Sequence, residues 1–150
     1  MDKANSRHTK KNAATLPQLL AQNAAAYGDT KTAIREKAYG IWQKYTWNDY
    51  YTFVKETAAG FAALEMRRGD NLCMIVNNSP EWLFSELGAH ALGATTLNLF
   101  TSSIAEELAF SIGRIVSPIV VVQDQEQADK LLEVKDKLPH VHRVVYIDPT

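Results

Sequence analysis

The chain is poor in thiol: its one cysteine, Cys73, cannot form an internal disulfide, so a reduced compartment, the cytosol, is the expected setting. Cys73 stands within Leu72-Cys73-Met74-Ile75-Val76, an apolar run in which a thiol is expected as a small core side chain. No apolar run approaches the ~20 residues of a membrane span. Residues 1–12 are polar and mixed in charge, without the apolar centre of a signal peptide, and residues 1–14 read as a flexible leader. Charge of one sign is also lacking. With 16 basic and 17 acidic residues and a net charge of -1, no bulk field recruits nucleic acid or an anionic membrane.

The common catalytic signatures are missing too. No G-x-G-x-x-G follows a strand, and no phosphate loop ends in Gly-Lys-Ser or Gly-Lys-Thr. Neither H-E-x-x-H nor a G-x-S-x-G elbow occurs. His140 and His142, just after Pro139, lack further ligands nearby in sequence and read as loop residues, not a metal site. His90 shares a helix with Trp82, Leu83 and Leu87, with no partner carboxylate evident, and reads as a packed side chain.

What is present is material for a core. Hydrophobic residues make up 46% of the 150 and charged residues 22%, ordinary globular usage for one domain or a large part of one. Caps mark the helices. Thr15-Leu16-Pro17-Gln18 opens a helix carrying Leu16, Leu19, Leu20 and Ala24 that stops near Gly28. Thr46-Trp47-Asn48-Asp49 opens a second, with Trp47, Tyr50, Tyr51, Val54, Ala58, Phe61 and Ala62 at helical spacing, expected to end at Arg67-Arg68-Gly69. Between them a small hairpin is expected around Ala38-Tyr39-Gly40.

From residue 70 the pattern alternates. Apolar strands are expected at 72–76, 94–97, 118–122 and 143–147. Helices are expected from Ser79-Pro80 to Ala91, from a cap at Ser103 with Ile104, Leu108 and Ile112 on one face, and from Gln125 to Leu138. Unbroken apolar strands alternating with helices imply parallel pairing and right-handed crossovers. The expected fold class is therefore α/β: a doubly wound, mostly parallel sheet with flanking helices and a small N-terminal hairpin. In such sheets ligands sit beyond the carboxyl ends of the strands. Asn77, Asn78, Asn98 and Phe100 fall there and are the substrate-cleft candidates. Helix capping by Ser79-Pro80 and packing by Trp82 account for every residue of the stretch 68–82, so it reads first as scaffold and only second as cleft lining.

Several short motifs occur in order. They are Leu16-Pro17-Gln18-Leu19-Leu20, Tyr45-Thr46-Trp47, Gly69-Asp70 before a strand, Asn78-Ser79-Pro80-Glu81-Trp82 after it, and Gly93-Ala94. Together they resemble the N-terminal part of the adenylate-forming (AMP-binding) superfamily of acyl-CoA synthetases, luciferases and peptide-synthetase adenylation domains, over roughly residues 15–148. Residues 42–47, Thr101-Ser102-Ser103 and Asp124-Gln125-Glu126-Gln127 with Leu131 look most like its long-chain fatty acid branch. Residues 97–100 depart from the family, which often has a proline there.

The resemblance implies that residues 15–150 form an incomplete α/β subdomain of a large N-terminal domain. The whole enzyme would be a fatty acid–CoA ligase using ATP, Mg²⁺ and coenzyme A. The chain alone would be inactive and would bind none of these. Its phosphate loop, ribose-holding carboxylate and catalytic lysine would lie beyond Thr150, so no catalytic, cofactor-binding or metal residue is carried over. The implied partners are the fatty acid and the rest of the ligase chain, with self-association through exposed sheet edges, peripheral contact with a membrane surface and no nucleic acid. Two other readings stay open on these residues: a ligase of the same superfamily for an aryl, acetyl or amino acid, and a non-catalytic α/β domain binding a nucleotide or a protein.

Overall fold

The computed structural model describes residues 15–148. The leader expected at 1–14 lies outside them. The first helix, α1 (Leu16–Tyr27), starts where the hydroxyl of Thr15 accepts the Gln18 N–H and ends at Gly28. Only Leu20 and Ala24 of its expected apolar face are buried, whereas Leu16 and Leu19 are exposed. The strands β1 (Thr32–Ala38) and β2 (Ile41–Thr46) pair antiparallel. Their two-residue connection, Tyr39-Gly40, has positive φ at both positions, 51° and 79°. That is the type I′ geometry matching the twist of a hairpin.

Helix α2 (Trp47–Ala63) begins with a reciprocal cap. The Thr46 hydroxyl accepts the Asp49 N–H, and the Asp49 carboxylate accepts the Thr46 N–H at 2.8 Å. The helix stops at Ala63, short of the expected Arg67-Arg68-Gly69. The Met66 N–H bonds the Phe61 carbonyl and the Glu65 N–H bonds the Ala62 carbonyl, which is a Schellman ending. Glu65 takes the left-handed position at φ 69°, and Met66 turns back into the core beside Phe61. Gly69, the glycine expected to end this helix, stands four residues further on. Replacing Glu65 with glycine is expected to raise stability by about 0.5–1 kcal/mol, the left-handed cost relieved less the entropy of glycine. The denaturation midpoint measures it, and an unchanged or lower midpoint would contradict the assigned backbone geometry.

The regular unit is β3 (Asn71–Ile75), α3 (Pro80–Ala91), β4 (Thr95–Leu99), α4 (Ala105–Ile115), β5 (Ile119–Val122), α5 (Gln125–Glu133) and β6 (Arg143–Tyr146). Its sheet runs in the order β4-β3-β5-β6 with every pair parallel. Successive residues of the central strands serve opposite faces. Leu72, Met74, Ile119 and Val121 pack with Phe61 of α2 and Ala89 of α3. Cys73, Ile75, Val120 and Val122 pack with Leu108 and Ile112 of α4 and Leu131 of α5. Both faces are thus covered, as the unbroken apolar strands required.

Several further boundaries differ from the sequence reading. Strand β4 begins one residue later and runs on to Leu99. Helix α4 has Ile104, not Ser103, at its N-cap; no side chain caps it, and Ile104 is exposed. Its apolar stripe is Ala105, Leu108, Ala109 and Ile112 instead. The helix expected to reach Leu138 ends at Glu133, and a 3-10 turn at Lys135–Lys137 follows. That tightening turns Leu138 into the core of the second face.

Candidate functional site

Parallel strands bring all four carboxyl ends to one edge. The chain winds outward from β3 to β4, then crosses back to β5 and on to β6, so the connections leaving β3 and β5 diverge. Sheets of this kind bind ligands at such a topological switch point. Asn77 follows β3 and Gln123 follows β5, and they meet across it: the Asn77 N–H donates to Gln123 Oε1 at 3.2 Å. The Asn77 side-chain oxygen accepts the Thr101 hydroxyl at 3.0 Å. Lys130 of α5 donates to the Thr101 carbonyl at 2.7 Å and pairs with Glu126 at 3.0 Å. The segment after β4 is therefore pinned between the β3 end and α5.

Of the four residues selected from sequence, Asn77 is in this network. Asn78 beside it is exposed. Asn98 lies within β4, opposite Met74, and its Oδ1 accepts the indole N–H of Trp82 at 2.9 Å. Trp82 is half-buried against the α2–α3 face, as its size suggested. Phe100 is 81% exposed just past β4 and lines, with Asn98, Ser103, Glu106 and Phe110, a shallow depression of about 550 Å³. The structure thus places Asn77 at the switch point and sets Asn98 and Phe100 to one side of it. Gln123, Thr101 and Lys130 were missed. Gln123 was legible, because the strand-end rule that selected Asn77 applies equally to the residue after Val122.

Two other groups have settled roles. Cys73 is fully buried, and burial pushes its thiol up to about 11, partly offset by a hydrogen bond from Ser117. The thiol is a packing group, not a nucleophile. Ser117 is a buried polar residue that the sequence reading passed over. Its hydroxyl accepts the Cys73 N–H at 2.9 Å and faces the carbonyls of Asn71 and Ile119 at 2.9 and 2.7 Å. It ties the start of β3 to the start of β5.

The histidines divide. His140 Nε2 lies 3.3 Å from the Ile112 carbonyl, and His142 is exposed. His90 Nε2 lies 3.2 Å from the Thr96 hydroxyl, which donates to Glu86 at 3.4 Å. A carboxylate is thus linked to His90 at one remove, which the sequence did not reveal. Among the described residues no group of three or more metal-ligating side chains occurs. The donor set at the strand ends is amide, hydroxyl and one paired ammonium, which does not fit a Mg²⁺ site. Such a set can orient a ligand and exclude water; it holds no group placed to make or break a bond.

A family model described as AMP-binding enzyme matches residues 20–150. The long-chain-fatty-acid–CoA ligases ACSBG1 of Bos taurus and ACSBG2 of Xenopus laevis are 31% and 30% identical over 131 residues. Each match covers 87% of this chain, and the chain spans only 18% of the length of each relative. Among solved structures, the anthranilate CoA ligase AuaEII superposes with a TM-score of 0.79 at 20% identity, over 87% of this chain and 24% of that one. A putative long-chain-fatty-acid CoA ligase of Rhodopseudomonas palustris gives 0.77 at 25% identity, over 89% and 33%.

Proposed function

The chain belongs to the AMP-binding enzyme family, and from that premise we propose that it forms the N-terminal α/β part of a ligase joining long-chain fatty acids to coenzyme A. The observation that carries the acid class is the match to long-chain-fatty-acid–CoA ligases along nearly the whole segment. The reaction has two halves. The fatty carboxylate attacks the α-phosphate of ATP, supplied with Mg²⁺, releasing pyrophosphate and leaving acyl-AMP. The coenzyme A thiolate then displaces AMP to give the thioester.

Within this reading residues 1–14 are a leader and residues 15–150 an incomplete subdomain whose partner is the rest of the ligase. The setting is the cytosol, at or near membrane surfaces. Among the described residues no helix is long and apolar enough to cross a membrane. Asn77, Asn78, Asn98 and Phe100 wall the substrate cleft. Support for that role is position: Asn77 and Asn78 follow β3 at the carboxyl ends of the strands, where Asn77 bonds Gln123 and Thr101, and Asn98 and Phe100 stand at the end of β4 to one side. They shape the cleft and exclude water; bond-making groups come from other parts of the enzyme.

The test is acid-dependent pyrophosphate and AMP release by the longest protein that contains this segment. Long-chain fatty acids are compared with acetate, benzoate and amino acids. Long-chain acids are expected to give the highest kcat/KM, and the 150-residue chain alone to release no pyrophosphate. Preference for a short or aryl acid would move the protein to another branch of the family. Absence of any acid-dependent release would remove the ligase reading.

A further inference from the structure

The hairpin carries an arrangement that folding does not explain. Past the irregularity near Ala33, its strands alternate cleanly. Ile34 and Tyr45 face inward and pack with Tyr50, Val54 and Phe84. Tyr45 meets Phe84 edge-on at 5.8 Å, and Phe84 stacks on Phe53 at 5.0 Å. The outward face presents Arg35, Lys37, Trp42 and Lys44, all exposed. Arg35 stands directly opposite Lys44, a like-charge pair that weakens a hairpin, and Lys37 stands opposite Trp42. Among the described residues these three cations have no acidic partner; the ion pairs there are Lys130–Glu126 and Lys137–Glu106. Local rules are broken in this way where a surface serves a partner.

The order along the hairpin identifies the partner. Tyr39 at the tip is fully exposed, Ile41 is 65% and Trp42 60% exposed. The Arg35–Lys44 pair stands two residues behind Trp42, about 7 Å along the strands. An apolar tip with Lys37 level with Trp42 and the Arg35–Lys44 pair behind it matches the profile of a bilayer interface, where aromatic side chains enter the headgroup region and lysine or arginine meets the phosphates. A single-stranded nucleic acid would use the aromatics and the cations, yet has no use for the exposed Ile41. We propose that the β1–β2 hairpin docks on an anionic lipid surface, inserting Tyr39, Ile41 and Trp42 and holding headgroups with Arg35, Lys37 and Lys44. This does not depend on which acid the protein activates.

The test is co-sedimentation of the 150-residue chain with vesicles of phosphatidylcholine alone, and of seven parts phosphatidylcholine to three parts phosphatidylglycerol. Binding is expected to the mixed vesicles only, and to weaken as salt rises. Arg35→Glu is expected to weaken it by about tenfold or more. The same substitution places a carboxylate opposite Lys44, so the melting temperature should hold or rise, separating lost binding from lost folding. Trp42→Ser is expected to weaken binding, and Arg114→Glu, on α4 across the sheet, to leave it unchanged. Equal binding to both vesicles, or undiminished binding by Arg35→Glu or Trp42→Ser, would overturn the proposal. So would retention of a single-stranded oligonucleotide without binding to either vesicle.

Discussion

Replacing Ile112 with alanine is expected to cost the chain about 3–4 kcal/mol of stability. Ile112 is completely buried in the face where α4 and α5 cover Cys73, Ile75, Val120 and Val122. Helix α4 reaches that face by four side chains, Ala105, Leu108, Ala109 and Ile112, and two of the four are already alanine. Little is left nearby to collapse into the space, which places the loss toward the upper part of the usual range for such truncations. At this chain length the loss corresponds to a fall of about 10 °C in melting temperature. Phe110 is the control, a larger side chain on the same helix that is 69% exposed. Phe110→Ala is expected to change stability by no more than about 0.5 kcal/mol. Equal losses for the two variants would mean that α4 does not sit on the sheet through this stripe.

Alkaline pH is expected to remove a comparable amount through Cys73. Burial raises its thiol from the ordinary 9.0 to about 11 in the folded chain. A raised value on an acid means that the fold favours the protonated form. The stabilisation is complete below pH 9, where both states keep the proton. Above pH 9 the unfolded chain ionises first, stability falls, and the fall ends near pH 11. Two pH units correspond to about 3 kcal/mol. Tyr50, pushed up to about 12 by burial and secondarily by the Glu86 charge, extends the decline at the upper end. Cys73→Ala loses some packing at neutral pH but should show a visibly flatter stability curve between pH 9 and 11. Parallel curves for the variant and the parent would show that Cys73 does not carry the effect.

The sequence reading was strongest where a residue has one local use. Thr15, Thr46 and Ser79 are caps by chemistry, and each became one. Gly93 was legible as a turn. At φ 80° it closes α3 with the Gly93 N–H on the His90 carbonyl and the Ala94 N–H on the Ala89 carbonyl. Unbroken apolar runs led to the parallel sheet because they alternate with helices, and helices on both sides cover both faces of β3 and β5.

It was weakest where tertiary contact overrides local preference. Glu65 and Val116 occupy left-handed conformations that no turn rule assigns to them. Val116 is held there because the next residue, Ser117, is bonded into the sheet edge by Cys73, Asn71 and Ile119. Ser103 failed as a cap although its type was right. At the candidate site, Asn77 was reachable from strand ends. Its coupling to Thr101 and Lys130 depends on how the β4–α4 segment lies across α5, information that no single segment contains.

The order β4-β3-β5-β6 also has a cost in time. Strand β3 can pair with β4 soon after both are synthesised, but its other edge must wait for β5. The Asn77–Gln123 bond at the end of that pairing spans 46 positions. At ~5–20 residues per second of translation, the growing chain holds a strand that is apolar from Leu72 to Ile75 with one edge open for about 2–9 s. Throughout that interval Met74 and Ile75 lack their β5 neighbours, Val121 and Val122. A nascent chain in this state is a substrate for chaperones that recognise exposed apolar strands, and slower codons between β4 and β5 would lengthen its exposure.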